Sequence, residues 1–482
     1  MSKARNILVI CSDQHRRDGM GCAGNPLVDT PNLDALAARG TRFSHAYCNA
    51  PICVPSRASF ATGLQIHEIP SWDNADPYHG QRRSFMHRLQ DAGLHTASVG
   101  KLHFRDTKDD VGFDEQIIPM HVRNGTGTFY SPLRSPIPRI VAGRKTLEKA
   151  GAGETEYTAY DTDIAEHAVQ WISDYSGKGD RKPFLLNVSF VNPHPPYVAP
   201  DELFHKYMAK ELPMPEAEDW FEHRSLEGVR KYFDTESMLP RERHKAVIAA
   251  YYANIEFLDQ KVGMVLRALR DADLEKETLV LYFSDHGESL GEAGLYGKCN
   301  MFEGSVGVPL VLAGPGVAAE SVCQTPAQLT DIYPTVLDAV GASPKPSDTA
   351  RKGESLIKIA SALTTDRWIL IQNHCAGAET ATFTLTNGRL KYVHHLDFPP
   401  LLFDLVKDAA ERDNLADQPE YAKEVERLRT LLHDMVDTTA IDQACRTSQE
   451  ARVQAQGGYD KIMAKTQTRA YSPPPEKTPA SK

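Results

Sequence analysis

Two apolar patterns alternate along the chain. Short unbroken runs at 6–11 (NILVIC), 96–100, 183–190 and 278–283 (TLVLYF) read as strands, with one more at 308–313. A run without a polar side suits the middle of a parallel sheet covered on both faces. Between these runs the spacing becomes helical. Ile164, Ala168, Trp171 and Ile172 form one stripe over 160–175; Val247, Tyr251, Ile255, Leu258, Val262 and Leu266 form another over 244–269. Further helices are predicted at 85–92 and 331–340. Another is opened by Thr30 as N-cap with Pro31 behind it and closed by Gly40. Strands alternating with helices predict a doubly wound α/β domain. The stretches 105–160 and 200–240 read as irregular polar excursions, the first facing substrate.

Around 343–353 the composition turns to that of a linker. Beyond it, 368–372, 381–385 and 389–393 read as strands, with Asn387-Gly388 as a hairpin signal between the last two. An amphipathic helix follows at 421–436. The expected organisation is a large α/β domain over 1–345, a smaller α+β domain over 354–442 and a polar tail over 443–482. The tail, ending near Pro473-Pro474-Pro475, is expected to be disordered or draped over another subunit.

Composition narrows the function classes. A net charge of −10 over 482 residues provides no broad basic face, so nucleic acid is not an expected partner. The eight cysteines (11, 22, 48, 53, 299, 323, 375, 445) show no paired spacing and no zinc-like cluster. The apolar run near the N-terminus is too short for a signal-peptide core or a membrane span, so the expectation is a soluble cytoplasmic protein with no membrane partner.

The chemistry concentrates at Cys53-Val54-Pro55-Ser56-Arg57-Ala58-Ser59-Phe60-Ala61-Thr62-Gly63. Pro55 suits a first helical turn and Gly63 a left-handed exit. Cys53 is therefore placed at a helix N-terminus, where free N–H groups favour negative charge, with the Arg57 cation close by. A thiol there is expected to be acidic and reactive. Four strand ends also carry polar groups: Asp13-Gln14, Lys101 with His103, His194, and Asp285-His286. Any one alone would be an ordinary loop residue. A parallel sheet, however, brings its carboxyl ends to one edge, where ligands bind. Asp13, Gln14, Asp285 and His286 make a mostly oxygen donor set, suited to Ca²⁺, Mg²⁺ or Mn²⁺ rather than zinc. Arg57, Lys101, His103 and Lys298 would surround a tetrahedral anion.

The Cys-x-Pro-Ser-Arg motif with its following Thr62-Gly63 resembles the signature of the formylglycine-dependent sulfatases of the alkaline phosphatase superfamily. The resemblance covers most of the chain. It continues in Gly100-Lys101-Leu102-His103, Asn192-Pro193-His194-Pro195, Ser284-Asp285-His286-Gly287, Gly297-Lys298, Val308-Pro309-Leu310 and Leu402-Phe403-Asp404-Leu405. It implies an alkaline-phosphatase-like fold and a Cys53 oxidised to formylglycine (3-oxoalanine) by a formylglycine-generating enzyme. It further implies one divalent cation, Ca²⁺ first with Mn²⁺ or Mg²⁺ as alternatives, held by Asp13, residue 53, Asp285 and His286, with Gln14 as a further ligand. Arg57 and Lys101 would stabilise the hydrated aldehyde, whose hydroxyl attacks sulfur. His194, with Lys298, would protonate the leaving alcohol, and His103 would assist the collapse that expels sulfate. Asn74, in Asp73-Asn74-Ala75, resembles a choline-sulfatase residue that holds the sulfate ester. Lys101, His194 and Lys298 would share that contact.

Some positions depart from the common pattern. Asp13-Gln14 and Asp285-His286 resemble the phosphonate monoester hydrolase and choline-sulfatase branches. Gly307 stands where an arginine is common, so a supporting ion pair is expected to be missing. The implied activity is a promiscuous hydrolysis of aryl or small alkyl sulfate monoesters, in a homodimer or homotetramer. Two other readings stay open: a phosphonate monoester hydrolase or phosphodiesterase using the same site, and a non-catalytic binding protein on this scaffold.

Overall fold

The computed structural model describes residues 3–179, 181–215, 220–362, 366–465 and 472–475. An eight-stranded mixed sheet forms its centre. The strands are β1 (Asn6–Asp13), β2 (Gly40–Phe43), β3 (His95–Lys101), β4 (Glu115–Met120), β5 (Phe184–Pro193), β6 (Thr278–Ser284), β7 (Leu310–Ala313) and β8 (Ser321–Cys323). Their order is β8-β2-β7-β6-β1-β5-β3-β4. β1 lies parallel to both β5 and β6, and β7 runs antiparallel to its two neighbours.

The apolar run of β1 follows from its place. Ile7, Val9 and Cys11 pack into one layer and Leu8 and Ile10 into the other, so both faces are covered. One layer contains α2 (Cys53–Thr62), preceded in the chain by α1 (Pro31–Ala38) and followed by α3 (Phe85–Asp91). On the opposite layer lie α5 (Glu156–Ser176) and the later half of α8 (Arg241–Asp271). Both long helices carry the expected stripes, with Ile164, Ala168, Leu258 and Val262 fully buried.

Four expectations change. Gly40 does not close α1: Arg39 ends it in right-handed conformation, and Gly40 begins β2. A Cβ at Gly40 would sit 2.0 Å from the Leu312 carbonyl oxygen of β7, so the glycine serves a close strand approach. Nor does Thr30 cap α1 through its side chain; its hydroxyl bonds to Asp34. The stretch 105–160 contains an edge strand, β4, and α4 (Val141–Glu148), while 200–240 contains α6 (Asp201–Met208) and α7 (Arg224–Phe233). Their polarity reflects edge and surface positions rather than absence of structure.

After α9 (Ile332–Val340) comes a four-stranded antiparallel sheet of β9 (Ile369–Asn373), β10 (Thr382–Thr386), β11 (Leu390–His395) and β12 (Leu401–Asp404). Asn387 and Gly388 make the expected hairpin, with Gly388 at φ 80° and the Asn387 side chain accepting from the Leu390 N–H. α10 (Ala422–Met435) packs on this sheet through Leu428 and Leu432. The fourth change concerns the tail. α11 (Thr438–Ala455) crosses the expected boundary at 442/443, and α12 (Tyr459–Ala464) follows. Cys445 and Gln449 of α11 are buried against the chain's own small sheet and the loop at 71–76. Positions 466–471 and 476–482 lie outside the described residues.

Candidate active site

The strand ends converge as parallel topology requires. Asp13 closes β1, Lys101 closes β3, His194 follows β5 and Asp285 follows β6. Cys53 is the first residue of α2, and Gly63 ends that helix at φ 68°. All of these side chains are buried, as is His286.

Arg57 lies one turn into α2 and is 1% exposed. Its Nε donates to Asp285 Oδ2 at 2.8 Å and its Nη2 to Asp13 Oδ2 at 3.0 Å. Nη1 is taken up by the Lys101 carbonyl and Ser189 Oγ. The guanidinium thus bridges the two carboxylates from behind. The sequence places it beside the thiol; the structure turns its donors to the carboxylates, because helix direction carries residue 57 inward toward the sheet. Lys101 Nζ completes the arrangement at 2.7 Å from Asp13 Oδ2.

Around Cys53 Sγ stand Lys298 Nζ at 3.0 Å, His286 Nε2 at 3.2 Å and Asp13 Oδ1 at 3.9 Å. Burial and the Asp13 carboxylate oppose ionisation of the thiol; Lys298, His286 and Lys101 outweigh them and hold it below its ordinary value. Lys298, expected among the cations around the anion, sits at the centre: it also reaches Gln14 Oε1 at 2.8 Å and His286 Nε2 at 3.2 Å. Burial disfavours its charge, but Cys53, Asp13 and Asp285 raise its pKa. Burial works against the Asp13 carboxylate too, and Lys101, His194, Arg57 and Lys298 nevertheless keep it well below the usual range.

Asp13, Cys53, Asp285 and His286 each present one ligand atom, all within 4.8 Å of one another. Two buried carboxylates and an imidazole so close fit a divalent cation. Gln14 is held at φ 66° with its amide nitrogen donating to Glu288 Oε2, which leaves its oxygen to accept from Lys298 Nζ. Glu288, which also accepts from Tyr197 and the Gly297 N–H, carries no motif signal in the sequence.

His194 Nδ1 donates to the Pro195 carbonyl at 2.6 Å, leaving Nε2 4.0 Å from Asp13 Oδ1. Burial, Lys298 and Lys101 keep the His194 ring well below its ordinary pKa. His103 is buried at φ 54°, and neither ring nitrogen has a hydrogen-bond partner among the described residues. Asn74 Oδ1 accepts from the Val54 N–H at 3.1 Å, at the start of α2. The ion pair expected to be missing at Gly307 is supplied from elsewhere. Arg17 fills that space, its guanidinium carbon 3.3 Å from where a Gly307 Cβ would be, and pairs with Glu303.

These groups floor a cleft open to solvent that is lined by Gln14, Cys53, Asn74, Lys101, His103, His194 and Lys298. Its outer walls come from Tyr130, Tyr157, Tyr232, Phe233 and Tyr296. These aromatics come from the two stretches with weak sequence patterns and from the loop before Lys298, and no motif singled them out. Ser472 closes one side, its carbonyl accepting from the Tyr157 hydroxyl at 2.7 Å.

Comparison with known proteins gives the family and the fold. The sulfatase family model matches residues 5–342, and a model of the C-terminal part of N-sulphoglucosamine sulphohydrolase matches 291–438. A choline-sulfatase of Rhizobium meliloti (strain 1021) is 34% identical over 468 residues, covering 93% of this chain and 90% of its own. Arylsulfatase K of Danio rerio is 30% identical, covering 91% and 85%. The fold is similar to that of the phosphonate monoester hydrolase of Agrobacterium radiobacter, with a TM-score of 0.72 at 24% identity over 90% of this chain and 97% of that one. With its matched length, its fold and its strand-end site taken together, the chain belongs to the sulfatase family, sulfuric ester hydrolases with an alkaline-phosphatase-like fold.

Proposed function

We propose that this sulfatase hydrolyses aryl or small alkyl sulfate monoesters, promiscuously, with residue 53 as formylglycine and one divalent cation. The observation that carries the reading is Cys53 at the head of α2, enclosed by Asp13, Asp285, His286 and Lys298 within hydrogen-bonding or ligand range. An aldehyde at 53 would supply, when hydrated, a hydroxyl nucleophile, and Asp13, Asp285, His286, residue 53 and Gln14 would hold a cation whose Lewis acidity would make that hydroxyl easier to ionise. Ca²⁺ is the first choice for this oxygen-rich set, ahead of Mn²⁺ and Mg²⁺.

The remaining roles belong to the chain's own side chains. Arg57 keeps the two carboxylates together and in one orientation. Lys101 and Lys298 offer positive charge to the sulfate oxygens, and Asn74 borders the same space. His194 is fixed by its Nδ1–H bond to Pro195, so Nε2 is the atom that hands a proton to the departing alcohol. The anionic ester supplies the negative charge that draws a proton onto this otherwise neutral ring. His103, whose buried nitrogens have no partner among the described residues, is placed to accept the proton of the second hydroxyl on residue 53 as the bond from carbon to the sulfate oxygen breaks and the aldehyde re-forms.

The same site with Asp13-Gln14 and Asp285-His286 also suits a phosphonate monoester or phosphodiester. Relative kcat/KM on p-nitrophenyl sulfate and a phenylphosphonate ester decides between them; a value lower on sulfate would overturn the reading. Maturation by a formylglycine-generating enzyme, a homodimer or homotetramer, a cytoplasmic location, and a division into a large domain over 1–345 and a smaller one from 354, which α11 carries past 442, complete the proposal. Among the described residues no helix is long and apolar enough to cross a membrane.

A further inference from the structure

The loop that carries Asn74 is tied down from the far end of the chain. Asp73 is fully buried, and its carboxylate takes four hydrogen bonds from three residues. Oδ1 accepts from the Ala75 N–H at 2.8 Å and Arg452 Nη1 at 2.9 Å. Oδ2 accepts from Arg452 Nη2 at 2.7 Å and Gln449 Nε2 at 3.1 Å. Arg452 Nη1 also reaches the Ala75 carbonyl at 3.0 Å, and Gln449 Nε2 the His374 carbonyl at 2.9 Å. Arg452 and Gln449 lie one turn apart on α11. That helix is itself anchored by Asp442, whose Oδ1 takes a buried Arg134 Nη1 at 2.9 Å. On the other side of Asp73, Asn74 holds the Val54 N–H and borders the cleft beside Cys53.

We propose that Arg452, assisted by Gln449, is a positioning residue for the sulfate end of the cleft. The clamp on Asp73 sets where Asn74 stands against the head of α2, and so places the wall that the ester's sulfate group meets. This rests on the cleft being a sulfate-ester site. The bonds from Ser71 to Asp76 and from Asp76 to Asp73 shape the loop internally but do not locate it relative to α2. Among the described residues the polar contacts of the Asp73 side chain outside its own loop come from α11, while Asn74 also accepts from the Thr128 N–H and gives its own N–H to Ser131 Oγ. Trp72 packs in the same C-terminal layer as Ile441 and Cys445. A two-pronged guanidinium–carboxylate contact fixes distance and angle together, and burial spares it from salt screening. Without it, Asp73 is a buried carboxylate short of its charged partner, and the loop must shift to rehydrate it.

The test uses the full, metal-loaded enzyme, with steady-state kinetics on p-nitrophenyl sulfate and calorimetric binding of inorganic sulfate. Arg452→Met is expected to raise KM and the sulfate Kd together, on the order of tenfold, with a smaller change in kcat. Arg452→Lys, which keeps the charge but not the fork, should recover part of both. A merely structural role would lower Tm and leave KM and Kd at wild-type values, and that result overturns the proposal. If Arg452→Met does not fold, Gln449→Leu, which removes one bond to Asp73, is judged by the same two constants. Sulfate binding needs no turnover. A wild type inactive on every sulfate ester therefore sinks the proposed function, while the Kd comparison still decides the clamp.

Discussion

Arg57 Nε lies 2.8 Å from Asp285 Oδ2, in a pair of side chains 1% and 0% exposed. Since the same guanidinium holds Asp13, its removal leaves two buried carboxylates facing each other. Loss of one partner from a buried ion pair typically costs about 3–5 kcal/mol. Arg57→Met is therefore expected to unfold at much lower urea in the presence of a chelator. A divalent cation, binding between the same carboxylates, should restore part of the loss. Equal destabilisation with and without metal would show that the carboxylates do not share a cation.

The nucleophile is tested at residue 53. Cys53→Ala should abolish turnover and leave the unfolding transition nearly unchanged, because the side chain is small and ends in the cleft. Mass analysis of the peptide containing Cys53 should show CHO in place of CH₂SH. An unmodified thiol in fully active enzyme would end the formylglycine reading.

Metal dependence follows from the donor set. Chelation should suppress activity, with Ca²⁺ or Mn²⁺ restoring it, and Asp285→Ala should bind either ion far more weakly by calorimetry. Full activity in exhaustively chelated protein would assign these carboxylates another purpose.

For His194 the informative variable is the leaving group. General acid catalysis is typically worth about 10²–10⁴-fold. His194→Ala should slow unactivated aryl and alkyl sulfates strongly and nitrophenyl sulfate much less. A plot of log kcat/KM against leaving-group pKa should be steeper for the variant. Parallel lines would leave His194 a placement role only.

A pH effect on stability is expected behind the site, where Lys391 Nζ bonds Glu411 Oε1 at 2.6 Å and Glu303 Oε1 at 3.0 Å. Burial and the neighbouring Glu303 push the Glu411 carboxyl up to about 7, despite Lys391. Its folded pKa exceeds its unfolded one, so its contribution is fully present below about pH 4.5 and is lost as pH rises toward 7. Glu303 acts in the opposite direction. Burial opposes its charge, but Lys391 and Arg17 lower it to about 2, so its contribution is lost only as pH falls below about 4.5. Glu411→Gln should flatten the decline in stability between those two higher pH values, whereas Lys391→Met should destabilise strongly at pH 7. Urea midpoints across pH 4–8 measure both; an unchanged slope in Glu411→Gln would assign the decline to other groups.

Sequence alone carried the fold class and most of the cleft floor. Unbroken apolar runs require a sheet covered twice, and such a sheet brings its strand ends to one edge. Asp13, Lys101, His194 and Asp285 were therefore legible as neighbours without coordinates. Gly63 and Asn387-Gly388 were legible because left-handed backbone has few sequence solutions. Tertiary structure decided what depends on direction and distance. It turned Arg57 from the thiol to the carboxylates, brought Lys298 to the centre, set Glu288 behind Gln14, and let Arg17 fill the space at Gly307. It also folded the C-terminal segment onto Asp73, 379 positions away from Arg452. These contacts join distant parts of the chain through single polar side chains. A local pattern records burial and backbone conformation, but not which buried donor a given carboxylate will meet.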